Sequence, residues 1–563
     1  MLDELLTGAT LVDGTGAPAR RADVGVRDGR VVTVAEPGTV GEASRRSVDC
    51  DGLVVAPGFV DPHTHYDAQL FWDPAASSSS VHGVTTIFAG NCGFTLAPLA
   101  DTDADYTRRM MAKVEGMPLA ALEHGVPWNW HSFAEYLDRL EGGVAVNAGF
   151  LVGHCALRRQ VMGKAATGNE ASPADLERMV GLLHEAIEAG GLGFSTSLSF
   201  THSDGDGEPV ASRWASREEV LALCAAVREH EGTTLEYVTD GCMRGFRPDE
   251  VDLMADMTLA ARRPLNWNVL TIDSKEPERY REQLAAGANA DALGGRVVAL
   301  TMPVLVEMNM SFNTYCALFM LPDWSSVMSL PVPERMAKLR DPDVRRFLDE
   351  RAQSPDAGVF TRLTDWGRYQ IGDTYSAANA GLKGRVVADL ARERGQSAFD
   401  TLLDVVIADD LRTVLWPLPT DDDPESWALR REAWDNPGVM LGGSDAGAHL
   451  DRMCGAPYTT GFLADCLRGR RLVSLERAVE LLTSVPAALF GLRDRGVVRE
   501  GAYADLVVFD PDTVATGEVR LVDDLPGGTS RLFADSVGVH RVLVNGRPIV
   551  VDGALTGERP GTV

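Results

Sequence analysis

Gly58-Phe59-Val60-Asp61-Pro62-His63-Thr64-His65-Tyr66-Asp67 is the stretch whose reading decides the rest of the chain. The apolar run at 53–60 reads as a short buried strand, and an extended backbone points residues i and i+2 to one side. His63 and His65 therefore face the same way at the strand's end. Two neutral imidazoles so placed can hold one metal ion. Paired histidines also occur as hydrogen-bonded core residues, so this pair gains weight only from its company.

Outward from it, apolar β-rich runs alternate with helical segments, the pattern of βα units around a parallel sheet. Eight runs qualify as strands: 53–60, 85–89, 148–152, 192–196, 233–238, 265–270, 297–301 and 439–443. Periodicity places helices between them, at 174–189 and 216–230 for example. The expected fold is α/β: a closed (β/α)8 TIM-like barrel over 53–490. Residues 1–52 and 491–563 read as short strands with turns between them and are expected to pair into one small β-sandwich. Two stretches exceed the repeat, near 101–141 and 303–434; the second holds Met308, Met310, Phe312, Tyr315 and Trp324. Long loops on a barrel's C-terminal face serve as lids or substrate walls, and a structural subdomain or an oligomer contact fits these equally well.

Barrel chemistry sits where strands end. The ends here read His63 and His65, Asn91-Cys92, His154, Ser195 and Ser197, Glu236, Asn266 and Asn268, Thr301, then Ser444-Asp445. So many apolar strands finishing on polar groups imply a metal or substrate site. Asp445 leaves a buried strand beside Gly442 and Gly443, and it is read as metal ligand and proton shuttle with His63 and His65. Cys92, on a tight glycine turn, is read as a thiolate ligand, with a small buried thiol as the alternative. His154 could orient a substrate carbonyl or bond a neighbouring loop. Arg158 could pair with a substrate carboxylate or form an ordinary salt bridge, and His449 could support Asp445 from the next turn. His202 and the remaining histidines are assigned to loops and helices away from strand ends.

A net charge of −28 argues against nucleic acid or an anionic membrane as partner. No basic, apolar leader opens the chain and no long apolar span occurs, so a cytoplasmic protein is expected. The eight cysteines form no Cys-x-x-Cys pair and are too dilute for a disulfide scaffold.

Pro57 to His65 as quoted, Gly83-Val84-Thr85-Thr86, Gly90-Asn91-Cys92-Gly93, Val152-Gly153-His154 with Arg158, Gly193-Phe194-Ser195-Thr196, Gly443-Ser444-Asp445 and Ala504-Asp505-Leu506-Val507-Val508-Phe509-Asp510 resemble, in order and over nearly the whole chain, the amidohydrolase superfamily and its D-aminoacylase branch. The resemblance implies a zinc-dependent barrel with a small β-sandwich that cleaves the acyl group from an N-acyl-D-amino acid, a small-molecule amide, and His63, His65, Cys92 and Asp445 match its metal and catalytic positions. One or two Zn²⁺ ions, or another divalent metal, are expected, and a homo-oligomer fits. The branch carries metal-binding histidines at strands five and six, where this chain has none. By period-two alternation Glu236 and the pair Asn266 and Asn268 face inward there. Glu236 could serve as an oxygen ligand and the asparagines as substrate contacts, or all three could form a polar network beside a single ion. Hydantoinase-like and urease-like members bridge two metals with a carbamylated lysine after strand four; none of the five lysines falls at a strand end. The alternatives are hydrolysis of another linear or cyclic amide, or a non-catalytic oligomeric binding protein on this scaffold.

Overall fold

The barrel strands of the computed structural model, which describes every residue except 101, 314 and 315, run in the expected order. They are Phe59–Asp61, Val84–Ala89, Asn147–Phe150 continued as Val152–Gly153, Gly193–Ser197, Thr234–Val238, Leu265–Asn268, Val297–Thr301 and Val439–Leu441. Neighbours pair in parallel throughout. The third strand breaks only at Leu151, whose N–H still donates to the Ala89 carbonyl at 2.9 Å. Strands one and eight share no ladder among the described residues. They are joined instead by the segments that follow them: His65 N–H donates to the Ala446 carbonyl at 2.7 Å, and Asp445 N–H to the His63 carbonyl at 3.3 Å. Gly442 makes this approach possible, because a Cβ there would stand 2.5 Å from Pro62 Cδ.

Helices occupy the crossovers, and their starts are written in the sequence. Ser172 and Asp175 form a reciprocal capping box before Pro173–Glu188, with Pro173 at the first position. Ser216 caps Arg217–Val227 through the Glu219 N–H. Met179, Leu183, Ala186 and Ile187 bury one face of the first of these helices.

Both termini enter one nine-stranded sheet. Leu2–Leu11 pairs with Arg20–Arg27 on one side and forks on the other, to Ser44–Asp49 and to Val54–Pro57. Leu506–Phe509 then pairs with Val54–Pro57 and Val539–Val544. Leu6, Val24, Val26, Val55, Leu506 and Leu543 are fully buried in its core. The run at 53–60 is therefore two strands rather than one. Val54–Pro57 belongs to the terminal sheet, and Gly58 N–H turns to the Asp505 carbonyl at 2.8 Å. Phe59 begins the barrel by donating to the Gly83 carbonyl at 2.9 Å.

The first long insertion, whose residue 101 lies outside the described residues, forms helices Ala104–Val114, Leu119–Gly125 and Phe133–Leu140. Residues 307–423 form a unit of their own. Their core gathers Phe312, Trp324, Leu339, Trp366, Tyr369 and Phe399, with Trp324 stacked on Trp366 at 5.4 Å; Tyr315 is outside the described residues. The helix Pro424–Trp434, read from sequence as the tail of this insertion, belongs to the barrel unit instead, where Trp434 packs edge-on against Phe462.

Candidate metal centre

Four side chains from three strand ends meet at the seam. Cys92 Sγ stands 3.5 Å from His63 Nε2 and 3.9 Å from His65 Nε2. Asp445 Oδ1 stands 3.1 Å from His65 Nε2 and 3.8 Å from His63 Nε2. An ion with bonds of about 2.0–2.3 Å holds tetrahedral donors roughly 3.3–3.6 Å apart. The spacings of the two imidazoles to Cys92 on one side and to Asp445 on the other bracket that range, so these donors fit a divalent cation, although Cys92 and Asp445 fall in separate ligand groups. Their approach is fixed from behind: buried Asp61 accepts from Ser444 Oγ after strand eight and from His63 N–H at 3.4 Å after strand one. Cys92 holds a left-handed φ of 59° on its glycine turn, and its N–H donates to Glu236 Oε2 at 2.8 Å.

The electrostatics call for positive charge at this point. Burial opposes a proton on His65, but Glu115 and then Asp445 outweigh it and raise its pKa to about 10. His63, deprived of solvent and next to His65, falls to about 3. Burial would raise Asp445, yet the hydrogen bond and charge of His65 hold it well below the usual carboxylate range. Burial, then the Glu236 charge, pushes the Cys92 thiol well up. A protonated His65 thus occupies the place of a cation, and a divalent ion would take over that charge while converting the thiol to thiolate. The Nδ1 atoms of His63 and His65 are buried without hydrogen-bond partners among the described residues, and both rings turn their Nε2 to the cluster.

Glu236 and Asn268 lie beside this cluster and are committed to each other. Asn268 Nδ2 donates to Glu236 Oε1 while Glu236 Oε2 takes the Cys92 N–H; burial lifts the Glu236 carboxyl to about 8. Asn266 Nδ2 is tied to the Val298 carbonyl at 3.2 Å. His449 Nε2 stands 3.7 Å from Asp445 Oδ2, as its place four residues on suggests.

His154 and Arg158 are not brought to the cluster. His154 is clamped between Thr196 Oγ1 at 2.8 Å and Glu219 Oε1 at 2.9 Å. Arg158 donates to both Glu219 oxygens at 2.6 Å and to the Ala166 and Asn169 carbonyls. Both side chains are wholly buried and serve this network, the hydrogen-bonding and salt-bridge alternatives rather than the substrate-facing ones.

Two residues at the site escaped the sequence reading. Glu115, which ends the helix Ala104–Val114, sets its Oε2 3.4 Å from His65 Nε2, and burial raises it to about 7. His202, just past strand four, accepts or donates at Nδ1 with Ser197 Oγ at 2.7 Å and packs its ring on Phe94. Burial and then the charge of His65 hold it near 3. The distance of His202 from a strand end is five residues of loop, short enough to have flagged it; Glu115 carried no such signal.

Fold and site together define a (β/α)8-barrel protein with metal-ligand chemistry gathered at the C-terminal strand ends. Residues 46–550 match the Amidohydrolase family, and the chain belongs to that family. D-aminoacylase of Alcaligenes xylosoxydans xylosoxydans is 30% identical over 567 residues, covering 100% of this chain and 97% of its own. N-acyl-D-aspartate deacylase of the same organism is 31% identical over 572 residues, covering 100% and 94%. The solved structure of N-acyl-D-glutamate deacylase from Bordetella bronchiseptica, complexed with zinc and a phosphonate mimic of the tetrahedral intermediate, superimposes with a TM-score of 0.64 at 26% identity, covering 100% of this chain and 99% of that one.

Proposed function

We propose that this protein is a metal-dependent amidohydrolase that removes the acyl group from an N-acyl-D-amino acid or a similar N-acyl amine, cleaving a C–N bond that is not a peptide bond. The observation that carries the reading is that the imidazoles of His63 and His65 stand at ligand spacing from both Cys92 and Asp445, in a chain that matches D-aminoacylase over its length. One ion per chain is favoured, because the oxygens of Glu236 are already engaged by Cys92 N–H and Asn268. A bound divalent cation, zinc by the donor set, polarises the scissile carbonyl and acidifies water.

The chain's own residues do the rest. His63, His65 and Cys92 would hold the cation together with Asp445, whose Oδ1 stands 3.1 Å from His65 Nε2. Its second oxygen, turned towards His449, is free to take the proton of the attacking water and pass it to the departing amine. A carboxylate held well below its usual pKa in the resting site starts in the form that accepts a proton. A reducing, cytoplasmic setting accompanies this reading, since the eight cysteines are dilute and form no Cys-x-x-Cys pair.

The test is release of free amine from paired N-acyl-D- and N-acyl-L-amino acids by zinc-reconstituted protein. Turnover of the D series supports the proposal. Activity confined to cyclic amides, or none with zinc loaded, overturns it.

A further inference from the structure

Resting on the metal-dependent reading, we infer that Glu115, supplied by the insertion between strands two and three, is a further ligand of the same ion. Two donor groups converge here: His63, His65 and Cys92, and separately His65, Glu115 and Asp445, each with ligand atoms within 4.8 Å of one another. His65 Nε2 belongs to both. An imidazole nitrogen has one lone pair and serves one ion. An ion on His65 Nε2 can therefore be shared with Asp445, whose Oδ1 is 3.1 Å away, and with Glu115, whose Oε2 is 3.4 Å away, and Glu115 adds a second carboxylate to the donors on that side of the ring.

The carboxylate of Glu115 is 4% exposed and, among the described residues, receives no hydrogen bond; its Oε2 stands 3.4 Å from His65 Nε2, with the Asp445 carboxylate within 4.8 Å. A buried carboxylate without donors is costly unless a cation meets it. The backbone on either side of the side chain is tied down. Glu115 N–H closes its helix on the Met111 carbonyl at 3.0 Å, and Glu115 carbonyl accepts from His449 N–H at 2.5 Å. Gly116 follows with a φ of +57°, and a Cβ on it would lie 2.8 Å from His449 Nδ1. The insertion is thus wedged against the loop after strand eight, with the carboxylate turned into the cluster. Imidazole with two carboxylates is a donor set that zinc and cobalt both accept.

The experiment loads chelator-stripped full-length protein with Co²⁺ and compares wild type with Glu115→Gln and Glu115→Asp, reading stoichiometry, dissociation constant and the visible ligand-field bands. The inference predicts binding weakened about 10-fold or more for Glu115→Gln, with shifted visible ligand-field bands as an oxygen donor is lost. Glu115→Asp keeps a carboxylate and is expected to fall between the two. Thermal unfolding of the stripped proteins verifies that each variant is folded. Identical spectra and dissociation constants in all three would overturn the role of Glu115 while leaving the metal centre standing. Wild-type protein that takes up no Co²⁺ would overturn the metal-dependent reading itself.

Discussion

Replacing Arg158 with methionine separates a structural role from a substrate role. The guanidinium is fully buried and donates to both oxygens of Glu219 at 2.6 Å and to the Asn169 carbonyl at 2.6 Å. Methionine keeps most of the volume, so the loss is chiefly electrostatic. Glu219, 2% exposed, would retain His154 Nε2 at 2.9 Å as its remaining side-chain partner. Stranding one member of a buried pair costs about 3–5 kcal/mol, and that is the expected loss in the urea unfolding of the barrel unit. The pH dependence has a definite sign. Burial raises the Glu219 carboxyl, but the hydrogen bonds of His154 and the guanidinium outweigh it and hold the pKa below the ordinary value. A carboxyl depressed on folding contributes stability above its unfolded pKa of about 4.3 and loses it as pH falls through the folded value. The gap between wild type and Arg158→Met should therefore be full at neutral pH and narrow in acid. KM of the residual active enzyme should be unchanged. An unaltered unfolding midpoint with a KM raised tenfold or more would show that Arg158 contacts substrate and that the argument is wrong.

Asp445→Asn should lower kcat by about 10²–10⁴ with unchanged circular dichroism, the loss expected of a positioned proton carrier; undiminished turnover would remove it from the reaction. Asp505→Ala should cost about 3–5 kcal/mol, because this buried carboxylate accepts from Asn545 N–H at 2.8 Å, Asn147 Nδ2 at 3.1 Å and Arg495; hydrogen exchange should show strand Val539–Val544 losing protection first. Gly116→Ala should cost about 1–3 kcal/mol in backbone strain and lower activity, since its Cβ would press on His449 Nδ1 at 2.8 Å; wild-type kinetics would show that the turn yields freely.

The barrel was legible because its strands announce themselves twice, by an apolar run and by the polar residue that ends it. The meeting of His63 with Asp445 followed from that pattern, since strands one and eight of a closed barrel are neighbours. Where apolar runs abut, the pattern fails. Val54–Pro57 and Phe59–Asp61 are buried in two different sheets, and burial on all sides erases the periodicity that would have marked the break at Gly58. The alternatives for His154 and Arg158 stayed open for a different reason. Their partner Glu219 arrives on a crossover helix, and no strand-end pattern says that a helix will capture what precedes it. Glu115 was invisible because the direction of a side chain from a long insertion depends on tertiary wedging, here by Gly116 and the His449 N–H.

The most direct measurement is activity against bound metal. Protein stripped with a chelator is titrated with Zn²⁺, and turnover of an N-acyl-D-amino acid is followed alongside metal content by elemental analysis. The site described here predicts no activity without metal and a linear return that saturates near one ion per chain, abolished in His63→Ala with Cys92→Ser. Full turnover by the stripped protein, or by that double variant, would contradict it.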